Sequence, residues 1–246
     1  MRLFDKWWLE AGLDLKMSPY QVSNTQDLIG YIEFVQNSDT MKEIFDKFGG
    51  TLSTFDKYII IKFLESNNRG IHLDIALENF RRSVAGYCLL TYVMGVGDRH
   101  ISNYMVAKDG KFFHIDFGHI LGDFKNFWWV KRERSKVAFT KEMMYTIGKD
   151  HEEYFYKLCF FGMSVLRKKS HLLLNLLWML LSADMPNLKT KANLNWVKEA
   201  LLLSGNDTEA SEKFKKVLEE GYNDTYRRFD NWFHRLKHGV GGGNKN

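Results

Sequence analysis

Residues 97–118 read GDRHISNYMVAKDGKFFHIDFG, and this stretch decides both the fold and the chemistry of the chain. At its middle, Asp109-Gly110 is a hairpin turn signal flanked by Lys108 and Lys111. With these two residues as the whole loop, paired positions sum to 219 and Asn103 stands opposite Asp116. The arms, 103–107 and 111–116, carry the Tyr, Val, Phe and Ile of short strands. A carboxylate and an amide oxygen thus meet at the open end, where they suit a hard cation such as Mg²⁺ that keeps phosphate and water in its shell. Phosphoryl transfer needs such a metal, in-line placement and a group that accepts the nucleophile's proton. Asn103 and Asp116 are the candidate metal ligands. His100 or Asp98, upstream in the same loop, stands near the attacking hydroxyl, and His119 is a further candidate; an imidazole of ordinary pKa, about 6.5, takes a proton at neutral pH without special burial.

With 246 residues, 45% of them hydrophobic, the chain has material for a substantial core, in one large unit or two small ones. Cys88 and Cys159 both lie in apolar surroundings, which reads as reduced core residues of a cytosolic protein, and there is no redox or zinc motif. Residues 1–6 lack an apolar signal core, and the best candidate span, 172–181, is shorter than the roughly 20 residues a membrane helix needs. A net charge of +5 weakly favours an anionic partner such as phosphate or an acidic membrane surface.

In chain order, residues 3–10 read as a helix ending near Gly12, and Pro19-Tyr20 begins an extended region. Residues 31–35 alternate as a strand, and Ser38-Asp39-Thr40 offers capping oxygens to a helix that stops at Gly49-Gly50. Ser53-Thr54-Phe55-Asp56 has the serine and acid of a capping box before the apolar face of Tyr58, Ile59, Ile61 and Phe63. A long helix over 72–94, nearly all apolar from Val84, delivers the chain into Gly95-Val96-Gly97. Residues 119–136 show no steady period, carry aromatic and basic side chains, and read as a long surface loop of functional kind. Thr140 opens another helix, and helical patterns follow over 152–169, 172–182, 194–203 and 209–237, broken at Met185-Pro186 and Ser204-Gly205-Asn206. The glycine-rich 239–246 has nothing to bury and is expected to be disordered. No internal repeat is present.

Singly, these residues have plain structural readings: His114 as a satisfied core histidine, Asp98 as a helix-ending or arginine-paired acid, the basic run 131–134 as a solvated face. Their joint spacing carries the weight. G-D-R-H-x-x-N followed by F-H-I-D-F-G-H resembles the catalytic and metal-binding loops of the phosphoinositide 3-kinases, in which Asp-Arg-His reverses the His-Arg-Asp of protein kinases. The likeness extends from 3 to 238. Residues 12–20 resemble the segment before the hinge, 30–35 the hinge strand, 81–94 (RRSVAGYCLLTYVM) the helix into the catalytic loop, and 172–188 (LLLNLLWMLLSADMPNL) a late core helix.

The resemblance implies an α+β, mainly helical fold: a protein-kinase-like large lobe with a short catalytic and metal-binding β-hairpin, plus a remnant of the small lobe and the hinge strand. It divides the chain into 1–35 (end of small lobe and hinge), 36–238 (large lobe, with catalytic loop 97–103 and activation loop 116–139) and the tail 239–246. It implies ATP with Mg²⁺, or Mn²⁺, as cofactors, adenine bound by backbone groups of Glu33 and Val35, and Met105 and Ile115 as the apolar floor beneath the base. Lys131-Arg132-Glu133-Arg134 is similar to the basic box that grips lipid phosphates, so Lys131, Arg132 and Arg134, with Lys125, are headgroup candidates. The expected substrate is a phosphatidylinositol lipid bearing a 4-phosphate, a 4,5-bisphosphate or no ring phosphate; the second, lysine-rich box of enzymes that use the bisphosphorylated lipid is replaced by Phe124-Lys125-Asn126-Phe127-Trp128-Trp129, which weighs against the 4,5-bisphosphate, and Trp128 and Trp129 suit a membrane interface. Trp232 and Phe233, beside Arg227, Arg228, Arg235 and Lys237, combine an aromatic anchor with a basic flank suited to an anionic membrane.

The expected partners are therefore a phosphoinositide in an anionic membrane surface and a regulatory or adaptor subunit, with no nucleic acid, in a cytoplasmic protein recruited to the plasma or endosomal membrane. The phosphate-covering glycine loop and its lysine are expected upstream of Met1, with further domains, so that residues 1–246 alone are expected to have little activity. Two other readings stand beside the lipid 3-kinase. One is a degenerate kinase lobe that scaffolds partners, against which the intact Asp98, His100, Asn103 and Asp116 argue; the other is a phosphatidylinositol 4-kinase or related protein kinase.

Overall fold

The computed structural model describes residues 1–24, 29–49, 56–122, 126–127, 130–131, 136–183, 188 and 191–239, with the backbone alone for 126, 127, 130, 131, 182, 192 and 224–239. Helix α1 (Arg2–Glu10) buries Phe4, Trp7 and Trp8 along one face. It stops at Gly12 (φ +79°), where Gly12 N–H donates to Leu9 O (3.0 Å) and Leu13 N–H to Trp8 O (2.8 Å), a Schellman ending that only a residue free to turn left-handed completes without strain. The strap that follows lays Leu15 and Met17 across a later helix at Gly86, where a Cβ would stand 2.5 Å from Met17 Sδ.

The segment expected to be the hinge differs from a single strand over 31–35. Strands β1 (Val22–Asn24) and β2 (Gly30–Ile32) form an exposed antiparallel pair, with Ser23 opposite Tyr31. Glu33 N–H still reaches Gln21 O (2.9 Å), but Phe34 and Val35 have left the ladder. Ser38–Thr40, expected only to cap, is also a strand, β3. Thr40 ends it and caps α2 (Met41–Phe48) reciprocally: Glu43 N–H donates to Thr40 Oγ1 (3.1 Å), and Thr40 N–H to Glu43 Oε2 (2.8 Å). The capping box at 53–55 lies outside the described residues; Asp56 accepts from Tyr58 N–H (3.0 Å) just before α3 (Ile59–Asn67).

Helix α4 (Ile71–Val93) is the axis of the molecule, buried along nearly its whole second half. Strand β5 (Phe112–His114) lies against it, and with β4 (Tyr104–Ala107) extends β3 into a sheet ordered β3-β4-β5. The short pair β6 (Asn126–Phe127) and β7 (Val130–Lys131) falls in the stretch expected to be loop. Helices α5 (Lys141–Ile147, capped by Thr140), α6 (Glu152–Lys168), α7 (Ser170–Leu180), α8 (Lys191–Ala200) and α9 (Asp207–Gly239) complete the chain close to the predicted segments. Helix α7 is not the core helix expected: Leu173 and Leu177 are buried, whereas Leu172, Trp178 and Met179 are exposed. Residues 240–246, like the break at 185–186, lie outside the described residues. Cys88 and Cys159 are buried and free, as read from sequence, and among the described residues no helix is long and apolar enough to cross a membrane.

Candidate active site

The central hairpin forms where predicted, with one change. Its loop takes three residues, 108–110, so that Ala107 N–H donates to Lys111 O (2.8 Å) and Gly110, at φ +90°, closes the turn as a left-handed bulge residue. The register follows: Tyr104 pairs with His114, Met105 with Phe113, and Val106 with Phe112. Paired positions therefore sum to 218, and Asn103 stands opposite Ile115, whose N–H donates to Asn103 O (2.9 Å), rather than opposite Asp116. A one-residue slip exchanges the faces of a strand. Here it places Asn103, Met105, Phe113 and Ile115 on one face. Tyr104, Val106, Phe112 and His114 turn inward, where His114 stacks on Tyr87 of α4 (centroids 6.0 Å). Burial, then the Arg99 charge, lowers the His114 pKa to about 3, so this histidine is the neutral core residue its plain reading describes.

Strand β5 ends because Asp116 adopts a left-handed backbone (φ +61°). Its exposed carboxylate takes Gly118 N–H on Oδ1 (3.1 Å), a local bond that fixes the turn. Asn103 donates its Nδ2 to Asp98 O (2.7 Å), which leaves the amide oxygen to a cation. Among the described residues no group of three or more His, Cys, Asp or Glu is placed to hold a metal. One carboxylate and one amide oxygen at the same hairpin end fit Mg²⁺, whose other ligands are characteristically phosphate and water.

The loop 97–103 winds around a single carbonyl. Asp98, also left-handed (φ +52°), accepts on its O from His100 N–H (2.9 Å) and from Asn103 Nδ2. Strained aspartates of this kind persist where the surroundings over-determine them, which is characteristic of functional sites. His100 is exposed, and its Nδ1 lies 3.3 Å from both Ser102 Oγ and Ser102 N. The two contacts favour opposite tautomers. Accepting the backbone N–H puts the ring proton on Nε2, whereas donating to Oγ leaves Nε2 with a lone pair that can take a proton from substrate.

The segment after Gly118 is not the free surface loop expected at its start. Gly97 N–H donates to His119 O (2.8 Å), Leu121 N–H to Met94 O (2.7 Å) and Gly122 N–H to Gly95 O (3.1 Å), tying 119–122 to the approach of the 97–103 loop. His119 is thereby held beside that loop, half-buried, with Leu121 fully buried. In the segment expected to be the hinge, Glu33 N–H is bonded to Gln21 and Val35 O accepts from Ser38 Oγ (2.6 Å). The Glu33 carbonyl and the Val35 amide are an acceptor and a donor of the kind that adenine's N6–H and N1 would meet. Met105 and Ile115, both half-buried, share the face of Asn103.

Lys125, Arg132 and Arg134 lie outside the described residues; Lys131 is placed in β7, and Trp232 and Phe233 in α9, by backbone alone. Sequence reasoning missed Tyr20, whose phenol is pushed up by burial and then by the charge of Asp116. It missed Ser102 as well. Only the Pro19-Tyr20 pair and the position of Ser102 between His100 and Asn103 marked either of them.

A helical lobe with a short hairpin, whose open end carries an amide and a carboxylate beside an Asp-Arg-His loop, is the large lobe of a protein-kinase-like fold. Residues 1–190 match the model of the family described as phosphatidylinositol 3- and 4-kinase, and the chain belongs to that family. Over 97% of its length it is 39% identical to phosphatidylinositol 3-kinase 1 of Dictyostelium discoideum, and it is 37% identical to phosphatidylinositol 3-kinase 2 of the same organism over the same share. To phosphatidylinositol 3-kinase 3 it is 37% identical over 89% of the chain. The chain spans 16%, 13% and 13% of the lengths of these three relatives.

Proposed function

We propose that this chain supplies the catalytic large lobe of a phosphatidylinositol 3-kinase, residues 36–238, with 1–35 as the hinge and end of the small lobe. The observation that carries the reading is the hairpin end, where Asn103 and Asp116 flank the Ile115 pairing beside the loop of Asp98 and His100. The likeness to the Dictyostelium enzymes supports the lipid as substrate. Adenine lies between the Glu33–Val35 backbone and the floor of Met105 and Ile115. Asn103 and Asp116 hold Mg²⁺ or Mn²⁺, which when bound neutralises charge on the ATP phosphates.

In the reaction, the inositol 3-hydroxyl oxygen bonds to the γ-phosphorus, the bond to the β-γ bridging oxygen breaks, ADP leaves, and the hydroxyl proton passes to His100 Nε2. Asp98 holds the loop through its carbonyl, and His119 stands as the second histidine beside it. Lys131, Arg132 and Arg134, with Lys125, meet a phosphate on the ring, and the single lysine at 124–129 favours a 4-phosphate or unphosphorylated lipid. Trp232 and Phe233 touch the bilayer, and the protein works from the cytoplasm at the plasma or endosomal membrane, with a regulatory subunit as a further partner.

The test is transfer from γ-labelled ATP to vesicles of phosphatidylinositol, its 4-phosphate and its 4,5-bisphosphate, and to a protein substrate, by the long protein that carries this chain. Label at the 3-position, lost with Asp116→Asn, is the expected result. Label at the 4-position or on protein overturns the lipid 3-kinase, and no transfer supports the scaffold instead. K131A/R132A/R134A is expected to lower kcat/KM for the phosphorylated lipid about tenfold relative to phosphatidylinositol.

A further inference from the structure

Trp196 in α8 lies beyond the family match over 1–190, and the chemistry above does not use it. Its indole rests on the junction that sets the two halves of the site against each other. A Cβ on Gly95 would stand 2.6 Å from Trp196 Nε1, and one on Gly122 would stand 2.9 Å from Trp196 Cε3. The ring fills the space that side chains would take at both positions. Its Nε1–H donates to Tyr92 O (2.9 Å), in the last turn of α4. Lys136 Nζ lies 5.8 Å from the ring centroid, so the same ring meets the far end of the segment that leaves Gly118.

Gly95 (φ +55°) and Gly122 (φ +79°) are joined by a backbone hydrogen bond, and a glycine moves between conformations more freely than any other residue. Left to themselves, two such residues would make the junction a hinge. The contact of one rigid ring with both removes that freedom. The bonds from Gly97 to His119, from Leu121 to Met94 and from Gly122 to Gly95 then hold one mutual placement of the His100 loop and the Asp116 turn.

We propose that Trp196 is a positioning residue: it clamps Gly95 against Gly122, and through Lys136 it fastens the end of the 116–139 segment to the same point. Its value to catalysis rests on the phosphotransfer reading, whereas the clamp itself does not. The experiment is amide hydrogen exchange in W196A and W196F, with V197A as a control that cuts a buried side chain of the same helix, each compared after correction for global stability measured in urea. In W196A the Gly97, Leu121 and Gly122 amides should exchange about tenfold faster than in V197A, with W196F, which keeps a ring and loses the donor, between them. Equal exchange in W196A and V197A overturns the clamp, and if W196A does not fold, W196F against V197A decides. In the active long protein, W196A should lower kcat with the KM for ATP unchanged. A wild-type protein without transfer would count against the function, while the exchange result would still decide the clamp.

Discussion

Replacing Gly110 by alanine should push the central hairpin off α4. The position has φ +90°, and a Cβ there would stand 1.9 Å from Ala76 O and 2.5 Å from Ala76 C. Ordinary contact begins at 3.4 Å, so the turn must retreat by about 1.5 Å from a helix backbone that cannot swing aside as a side chain would. Retreat is opposed by the bonds that pin the turn: Asn79 Nδ2 to Asp109 O (2.9 Å), Asn68 Nδ2 to Lys108 O (2.7 Å) and Lys108 N–H to Asn37 O (2.8 Å). Holding an L-residue left-handed costs about 1–2 kcal/mol, and overpacking a close interface costs about 1–3 kcal/mol. A loss of about 2–5 kcal/mol is expected, a large share of a stability on the order of 5–15 kcal/mol. Urea unfolding followed by tryptophan fluorescence and circular dichroism measures it. Asparagine tolerates the backbone angle but carries the same Cβ, so G110N should be as unstable as G110A to within about 1 kcal/mol. A G110N protein close to wild type, or a G110A loss below about 1 kcal/mol, would refute the close approach of turn and helix.

Two further outcomes follow from the site. Ser102→Ala removes the oxygen that favours a proton on His100 Nδ1 and leaves the backbone N–H that favours Nε2–H, so kcat for lipid phosphorylation should fall about threefold to tenfold with the KM for ATP unchanged. An unaltered kcat would remove Ser102 from the proton path. Gly122→Ala should destabilise the wild type more than it does W196A, by about 1 kcal/mol in a double-mutant cycle, because the left-handed strain is common to both backgrounds and only the ring contact at 2.9 Å differs. Equal losses in both backgrounds would separate the ring from that glycine.

The helices were legible because their apolar periods and caps are local: Thr40, Thr140 and Gly12 all act where the pattern places them. The hairpin was legible too, but its register was not. Asp109-Gly110 serves either a two-residue loop or a three-residue loop with Gly110 as the bulge, and the adjacent Phe112 and Phe113 fit either face. The polar His114 turned inward, because the rings of Tyr87, Tyr104 and Phe112 surround it. Strand β1 carries no period in three exposed residues, and α7 shows how a run of leucines reports hydrophobicity without saying which side is covered. Trp196 was beyond reach for another reason. Next to Leu194 and Val197 it reads as one more core residue, and its partners Gly95 and Gly122 come close only through tertiary packing.

The Trp8 indole donates to Gly162 O (3.0 Å) across a separation of 154 residues. Closing a loop of that length costs about 4–5 kcal/mol of chain entropy, recovered only when α6 is present to receive α1. A ribosome adding about 5–20 residues per second makes α6 on the order of ten seconds or more after α1. For that interval Phe4, Trp7 and Trp8 have no α6 to cover them, and the strap, which must lie over Gly86, has no finished base. Helix α1, made well before α6, is therefore among the later elements of this lobe to settle, and the strand pair that it leads into takes its final place only when α6 has folded.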